Sequence, residues 1–512
     1  MDNVVIIGGG LGGLFCGAIL AKEGLHVTVL EKNATIGGGL QTFTRFGEVF
    51  DTGMHVVGGM RPGGNIWRIC RYLGIEDKVN LRDVDDDCTD HLYFSEDHQH
   101  YTIAKGRERF VDSLAKAFPQ ERENLQRYVE AIFALTQELD LFYLRPTRAN
   151  LYNHSDEFLM AADEFIAKYI TDPKLRSVVA YMNPLYGGRG GRTPAYVHAV
   201  ISVLYINGAC RFVGGSSHFA DLLADVIREH GGEVVAGDGV TWVEVERSQE
   251  SGDRSREPGV RRVAYVKTAK GRQYQADWYI SDIHPCTLLR LMDERAFPKA
   301  FRDRMNEIPN SYSAFSLYIK MKDGSFPYIN HSEYFTRRYD EIWHFCRDEA
   351  SWPMGFLLMT PPEENQGPWS NKVLVTAPMQ FEMVRRWENT TVGRRGSDYE
   401  QWKQQRTDER LALVEELHPG FREAIDDMNA SSPLTIRDFY GVKEGAICGF
   451  SKDCHNITLS QLPVVTKVSN LLLTGQNNNL HGFCGVPLTA ISTCEVILGQ
   501  NSVIDKLKID NG

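Results

Sequence analysis

The sequence lacks several features that would assign it to a class at once. Its ten cysteines are scattered, without a C-x-x-C pair or even spacing, which is typical of reduced thiols and predicts no metal site. No apolar run reaches the ~18 residues needed to cross a bilayer. No signal peptide precedes the first predicted strand, which begins at residue 4. We therefore expect a cytoplasmic protein, with peripheral contact at the inner face of a membrane left open.

Basic runs are also missing from the chain. The net charge is −11 and no stretch interleaves basic and aromatic residues, so we expect no nucleic-acid partner. There is no internal repeat, and the only low-complexity stretch is a polar loop at residues 248–259. The 512 residues are 42% hydrophobic and 24% charged, an ordinary globular composition in a chain too long for one core. Two domains are the expectation.

The first forty residues contain the strongest positive signal. A predicted strand at residues 4–7 runs into Gly8, Gly10 and Gly13, which satisfy G-x-G-x-x-G, and an apolar helix and a second strand follow. The glycines allow a tight turn, close approach of the backbone to a diphosphate, and close packing of helix on strand. The strand, glycine turn, helix and strand together predict a dinucleotide-binding βαβ unit.

Glu31 ends the second strand and narrows the choice of dinucleotide. It lies 18 residues beyond Gly13, where a carboxylate accepts hydrogen bonds from ribose hydroxyls. A carboxylate suits a free 2′-hydroxyl and repels a 2′-phosphate, so NADP is disfavoured while FAD and NAD remain open. Lys32 is either a phosphate ligand or a solvated surface lysine.

The nucleotide-binding domain is predicted to return twice along the chain. A helix at 219–230 is followed by strands at 233–235, 240–245, 263–267 and 274–281, and a strand at 470–475 precedes a helix at 486–498 with Pro487 in its first turn. Between these returns we predict helices at 107–117, 122–142, 156–169 and 196–205, and strands at 313–320 and 372–379. Residues 1–75, 212–285 and 440–505 are therefore assigned to the nucleotide domain, and 76–211 and 286–439 to an inserted substrate or cap domain.

Further motifs are spread over the whole chain: GGGLQTF at 37–43, VFDTGMHVVG at 49–58, YINGA at 205–209, GGSS at 214–217, SPLTIRD at 432–438, LTGQNNNLHG at 473–482 and GVPL at 485–488. Together with the βαβ unit, these resemble the phytoene desaturase-like flavoproteins, and within them the branch of retinol saturase and carotenoid isomerase. The resemblance implies an α/β fold: a Rossmann-like FAD-binding domain assembled from discontinuous segments, with an inserted α+β cap domain.

The resemblance also implies FAD as the cofactor. Glu31 would then contact the adenosine ribose, the Val240 backbone the adenine, and the start of the C-terminal helix the flavin O2/N1 edge. The expected cofactor-binding residues are Gly8, Gly10, Leu11, Gly12, Gly13, Glu31, Lys32, Gly38, Gly39, Leu40, His55, Val240, Gly475, Gln476, Val486, Pro487 and Leu488.

The implied activity is that of an FAD-dependent oxidoreductase acting on a C=C bond of a lipophilic isoprenoid, retinoid or other polyene. A saturase would transfer a hydride from reduced flavin N5 and add a proton. A desaturase and a reduced-flavin isomerase remain alternatives, as do an amine oxidase and a lipid-binding flavoprotein without turnover. No second G-x-G-x-x-G follows a strand, so we expect an external electron donor or acceptor such as NAD(P)H, a quinone or a reduced carrier.

Three residues are candidates for catalysis: His481, His55 and Tyr186. For each histidine, a role in holding its own loop by hydrogen bonds is an equal alternative. His198 faces either the core or the substrate channel, which we expect to be an apolar tunnel lined by residues 130–205 and 310–445. Residues 139–144 either dock on a membrane or pack in the core of the helical cap.

Overall fold

The computed structural model describes residues 2–146, 154–247, 260–344 and 348–508. The strands in these ranges are, in chain order, β1 Asn3–Ile7, β2 His26–Leu30, β3 Thr42–Arg45, β4 Glu48–Asp51, β5 Val57–Gly58, β6 Leu81–Asp83, β7 Asp90–Phe94, β8 Gln99–Ile103, β9 Ala209–Phe212, β10 Glu233–Val235, β11 Val240–Arg247, β12 Arg261–Thr268, β13 Gln273–Tyr274, β14 Trp278–Ser281, β15 Ser313–Met321, β16 Ser332–Thr336, β17 Gly355–Met359, β18 Lys372–Met379, β19 Ile425–Ser431 and β20 Leu471–Leu473. The α-helices are α1 Leu11–Lys22, α2 Asn65–Leu73, α3 Arg107–Ala115, α4 Arg122–Gln137, α5 Ala162–Tyr169, α6 Pro173–Val179, α7 Ala195–Ile206, α8 Ser217–Glu229, α9 Pro285–Arg290, α10 Lys299–Glu307, α11 Ser397–Leu417, α12 Phe421–Ala424, α13 Pro433–Tyr440, α14 Ile457–Ser460 and α15 Gly482–Leu498.

A five-stranded parallel sheet in the order β10-β2-β1-β14-β20 forms the centre of the nucleotide-binding part. Its strands come from three distant stretches of the chain. Parallel strands that are buried on both faces need nearly continuous apolar sequence, and β1 and β20 supply it with VVII and LLL. The sheet confirms the predicted Rossmann-like fold assembled from discontinuous segments.

Helix α1 begins directly after Gly10 and is buried along almost its whole length. A Cβ atom at Gly13 would lie 2.1 Å from the carbonyl oxygen of Gly8, so only glycine lets the helix start this close to the strand. Helices α8 and α15 pack on α1, and a Cβ at Gly17 would lie 2.7 Å from Ile227 Cδ1 on α8. This close packing fixes the N-terminus of α1 at the carboxyl edge of the sheet.

The second part of the molecule is built on a seven-stranded mixed sheet in the order β19-β15-β18-β17-β16-β7-β8. The parallel pair β16–β7 joins strands from two insertions into the nucleotide-binding part. Helices α4, α5 and α7 pack against one another beside this sheet. The mixed sheet with its helices confirms the predicted α+β character of the cap, while the domain boundaries stay a prediction.

Several predicted elements differ from the structure at their ends. The C-terminal helix α15 begins at Gly482, four residues before the predicted start, so Pro487 lies in its second turn. The prediction relied on the preference of proline for the first turn, but a proline near a helix start removes only one backbone hydrogen bond. The predicted strand 274–281 is divided between β13 and β14, which belong to different sheets. Helix α4 ends at Gln137, α5 begins at Ala162, and the loop 248–259 lies outside the described residues.

Residues 139–144 pack into the core of the helical cap. Phe142 and Leu144 are only 5% and 2% exposed. Burial of these side chains favours the core-packing interpretation of the segment over membrane docking. Within the described ranges, no helix is both long and apolar enough to span a bilayer.

Candidate functional site

Glycines bring three separate backbones together at the carboxyl edge of the parallel sheet. A Cβ at Gly38 would lie 3.2 Å from Gly10 Cα, and a Cβ at Gly12 would lie 3.2 Å from Gly475 Cα. The N-terminal loop, the segment after β2 and the end of β20 thus come close together. The N-terminus of α1 lies at this cradle, and helix N-termini with glycine turns bind the diphosphates of dinucleotides.

Glu31 lies at the end of β2 and is 6% exposed. Its Oε2 accepts a hydrogen bond of 2.8 Å from the Gly9 amide, and its Oε1 accepts one of 2.8 Å from the Asn33 amide. These two bonds hold the carboxylate beside the glycine loop, where its remaining lone pairs can accept hydrogen bonds from ribose hydroxyls. The contact of Glu31 with a ribose stays a prediction.

Val240 and Lys32 lie on the same side of the cradle. A Cβ at Gly239 would lie 2.4 Å from Lys32 Cβ, which places Val240, the first residue of β11, next to the end of β2. The exposed Lys32 directs its Nζ to the carbonyl oxygen of Asp438, at 3.1 Å. The lysine therefore points at a backbone carbonyl instead of into the diphosphate cradle.

Asp282 stands directly inside the cradle, and sequence reasoning missed it. A Cβ at Gly10, Gly12 or Gly475 would lie 2.6, 2.4 or 2.7 Å from one of its carboxyl oxygens. Burial raises the pKa of Asp282 to about 7, and the charge of Glu31 adds to the rise, while a hydrogen bond from the Gly13 amide opposes it. The signal was available: Asp282 follows β14, whose carboxyl end meets the edge where ligands bind in such sheets.

Hydrogen bonds join the FDTG motif to the GGSS motif. Asp51, in the FDTG motif, accepts hydrogen bonds at Oδ1 from the backbone amide and the hydroxyl of Ser216, at 2.7 and 2.8 Å. The Ser216 hydroxyl is also 3.0 Å from the carbonyl oxygen of the buried Leu40. These hydrogen bonds hold the 3-10 helix Gly38–Leu40, and with it Gly39, against the start of α8. Asp51 and Ser216 both lie in motifs noted in the sequence, but the sequence alone did not assign a role to either side chain.

An apolar cavity of about 240 Å³ lies between the cradle and the cap. Its walls include Gly39, His55, Tyr440 and His481 on the nucleotide side, and residues from both insertions on the other. Among the described residues, none of those lining it is Asp, Glu, Lys or Arg. The predicted apolar lining by residues 130–205 and 310–445 is confirmed, with Leu204 and Phe356 as examples.

His55 and His481 both line the cavity and are unusually short of partners. His55 Nδ1 and His481 Nε2 are buried without a hydrogen-bond partner in the described structure. Burial lowers the pKa of His55 to about 4, with help from the charge of Arg211, and lowers that of His481 to about 3, with help from Lys452. Both rings are therefore neutral at pH 7, and each offers one free polar atom to a bound molecule.

Tyr186 is not brought to the cavity. Its hydroxyl is 2.9 Å from His198 Nδ1, and His198 Nε2 is 2.6 Å from the Tyr128 hydroxyl. The chain of three rings is buried within the helical cap, so His198 is a core residue. Tyr440 lines the cavity instead: its hydroxyl donates a hydrogen bond of 3.0 Å to Thr52 Oγ1.

The C-terminal segment of the nucleotide-binding part, β20 and α15, differs from the prediction in where its helix begins and in the role of Gln476. Because α15 begins at Gly482, its unpaired amides precede Val486, Pro487 and Leu488, which lie farther along the helix. The Gln476 side chain lies between the Ile447 carbonyl and the Gly449 amide, 3.2 Å from each when its amide is oriented to bond both. The Gln476 side chain thus contacts the neighbouring loop that contains Ile447 and Gly449.

Comparisons with known proteins agree with this architecture. Residues 6–73 match the NAD(P)-binding Rossmann-like domain. The chain is 25% identical to all-trans-retinol 13,14-reductase of Homo sapiens over 99% of its own length and 87% of the relative's. It is 23% identical to prolycopene isomerase 1 of an Oncidium hybrid cultivar, over 86% and 74% of the two lengths.

These similarities fit the retinol saturase and carotenoid isomerase branch of the phytoene desaturase-like proteins. The resemblance inferred from the motifs is thereby confirmed. A structural relative, an oxidoreductase from Methanosarcina mazei, is 16% identical with a TM-score of 0.63, covering 96% of this chain and all (100%) of its own. This likeness confirms the fold.

Proposed function

We propose that the protein is an FAD-dependent saturase that reduces a C=C bond of a lipophilic, uncharged polyene of the retinoid or isoprenoid class. The observation that carries the proposal is the apolar cavity, free of charged side chains, that opens onto two neutral histidines beside the dinucleotide cradle. The full-length similarity to a retinol 13,14-reductase supports the same reaction class.

The cradle fits FAD. Four glycines let the backbones of the cradle approach one another and the helix N-terminus closely, because a Cβ on any of them would meet backbone or Asp282 at 3.2 Å or less: Gly10, Gly12, Gly38 and Gly475. Glycines in this arrangement allow a backbone to approach a diphosphate. A ribose contact by Glu31 is supported by the hydrogen bond from the Gly9 amide, which holds its carboxylate beside the glycine loop. The cavity that follows Gly39 and His55 gives an extended cofactor a second, apolar compartment. When bound, FAD supplies the hydride for alkene reduction.

The cavity walls indicate the class of substrate. Wall side chains such as Leu204, Phe356 and Met359 present hydrocarbon surface, and burial of such surface stabilises a bound polyene by about 25 cal/mol per Å². A cationic substrate would find no carboxylate among the described wall residues, and the cost of burying an unpaired charge is several kcal/mol. This contrast favours a neutral polyene over an amine.

The chain's own residues control the proton that completes the reduction. His481 Nε2 and His55 Nδ1 are the unpaired polar atoms at the cavity. With a pKa of about 3, His481 is a poor proton donor on its own. A negative charge bound next to the ring would raise that pKa, because it favours the imidazolium form. We therefore propose that His481 donates its proton only when the site is fully assembled, with His55 as the alternative donor.

A polyene isomerase is the second candidate, because a prolycopene isomerase is also similar over most of the chain. A desaturase would use the same cavity in the opposite direction. These activities differ in electron flow: a saturase consumes electrons, which we expect from an external donor such as NAD(P)H, a quinone or a reduced carrier. An isomerase returns product without a net change of oxidation state.

The decisive experiment combines cofactor release with single turnovers. The purified full chain is denatured to identify its cofactor, then photoreduced without oxygen and mixed with polyenes, enones and amines. We expect released FAD, and return of the oxidised flavin spectrum only with a conjugated alkene, together with a product two hydrogens heavier. Isomerised polyene without flavin reoxidation would establish the isomerase instead. A colourless protein that binds NAD, or oxidation of an amine by the untreated protein, would refute the proposal.

A further inference from the structure

A cluster of four histidines surrounds one glutamate on the cap sheet, away from the cavity. The chain has 15 histidines in all, so about a quarter of them lie in this cluster. Glu333 on β16 pairs directly with His91 on β7 in the parallel ladder. Tyr334 and Phe335, the next two residues of β16, line the cavity, whereas Glu333 does not.

Three of these side chains converge on a small volume. His91 Nδ1 is 3.6 Å and His331 Nε2 is 4.0 Å from Glu333 Oε1, and the three atoms all lie within 4.8 Å of one another. Ligand atoms around a tetrahedral zinc ion, with bonds of about 2.0–2.1 Å, lie about 3.4 Å apart. Side-chain movements of about 1 Å would therefore close the three ligands around an ion.

The outer partners are those that orient metal ligands. His91 Nε2 is 3.1 Å from His100 Nδ1, and the two rings stack at 5.0 Å, so the nitrogen facing Glu333 is held in place. Glu333 Oε2 accepts a hydrogen bond of 2.5 Å from His418 Nε2 at the end of α11. Such partners fix the tautomer and the direction of the ligands they touch.

The three proposed ligands differ in exposure. The side chain of Glu333 is only 7% exposed, while those of His91 and His331 are 23% exposed, which leaves room for a water ligand.

We propose that His91, His331 and Glu333 form a binding site for one divalent transition-metal ion, with zinc as the best match to two imidazoles and a carboxylate. Water completes the coordination, and the ion ties β7 and β16 to the segment before β16. The site is separate from the proposed reaction, because none of its three ligands lines the cavity. Removal of the ion should leave the cofactor content unchanged.

The test is a zinc titration of the full chain, with any affinity tag removed and bound metal stripped with EDTA. Competition with a chromogenic zinc chelator at pH 7.5 should give one tight zinc per chain, and cobalt should give the visible absorption of a four-coordinate ion. His331→Asn and Glu333→Gln should each weaken this binding at least tenfold. His98→Asn is the matched control: His98 lies on the β7–β8 turn and bonds the Tyr93 hydroxyl, not Glu333.

The variants also separate this site from a second group of possible ligands, Asp453, Cys454 and His455. If His455→Asn abolishes the binding and His331→Asn does not, the assignment is wrong. It is equally wrong if the wild-type chain binds no zinc below about 10 µM, since the cluster is then a hydrogen-bonded network only. Circular dichroism of each variant establishes folding, and His331→Asn, at a half-buried position, keeps the test valid if Glu333→Gln fails to fold.

Discussion

Replacement of Asp282 by asparagine tests the electrostatics of the cradle most directly. The carboxyl group lies among Gly10, Gly12 and Gly475, and its pKa is raised to about 7 from an ordinary value of 3.8 because it is buried near Glu31. Asparagine has the same shape but carries no charge at any pH. The variant therefore removes a buried carboxylate while it keeps an oxygen that can accept the bond from the Gly13 amide.

The magnitude follows from the difference between the two pKa values. At about 1.36 kcal/mol per pH unit, the rise from 3.8 to about 7 corresponds to at most about 4 kcal/mol. The Asp282 residue keeps partial contact with solvent, so we expect about 1–3 kcal/mol after solvent screening. The folded state holds the proton up to about pH 7 while the unfolded chain has lost it by about pH 5. The carboxylate therefore costs stability as pH rises from about 4 to 7, and this cost is absent below pH 4.

The assay is urea unfolding of the cofactor-free protein at pH 5 and pH 8. The free energy of unfolding of Asp282→Asn should exceed that of the wild type by more at pH 8 than at pH 5. As pH rises, the FAD affinity of the variant should fall less than that of the wild type, because the variant has no carboxylate at this position to repel the diphosphate. Asp221→Asn, at an exposed position on α8 of the same domain, is the control and should show neither change. The reasoning fails if Asp282→Asn shifts stability equally at both pH values, or destabilises the protein at pH 8.

Three further predictions address the proposed site. Glu31→Ala should weaken FAD binding about 10–150-fold, since a hydrogen bond to a charged group is worth about 1.5–3 kcal/mol; fluorescence titration of FAD measures this, and unchanged affinity would remove Glu31 from the ribose site. His481→Gln should keep nearly normal FAD content but slow flavin reoxidation by a polyene about 10²–10⁴-fold in stopped-flow experiments. Loss of FAD would show that His481 holds its loop, and unchanged reoxidation would favour His55 as the donor. Tyr186→Phe should leave reoxidation unchanged and lower the free energy of unfolding by about 1 kcal/mol, because its hydroxyl bonds to His198 in the cap core; a reoxidation rate reduced tenfold or more would return Tyr186 to the catalytic candidates.

The structure also shows where local patterns stop being informative. The predicted start of α15 relied on the preference of Pro487 for a first helical turn. The helix instead begins at Gly482, and Pro487 is accommodated in its second turn. Tyr186 is a candidate for catalysis in the sequence, but its hydroxyl is 2.9 Å from His198 Nδ1 inside the cap. A local sequence pattern indicates whether a residue lies in a helix, a strand or a loop. It does not determine where the side chain of that residue points.

The sequence by itself determined the features that depend on neighbours in the chain. The apolar strands, the glycine turn before α1 and the acid at the end of β2 lie within one βαβ unit, so their spacing alone specified a parallel dinucleotide-binding sheet. The tertiary structure alone decided which distant groups meet. Asp282 enters the glycine cradle from β14, Asp51 bonds Ser216 across 165 positions, and Glu333 gathers histidines from four segments. The physical reason is that these contacts depend on how the sheets and helices pack, and no pattern in adjacent residues records that packing.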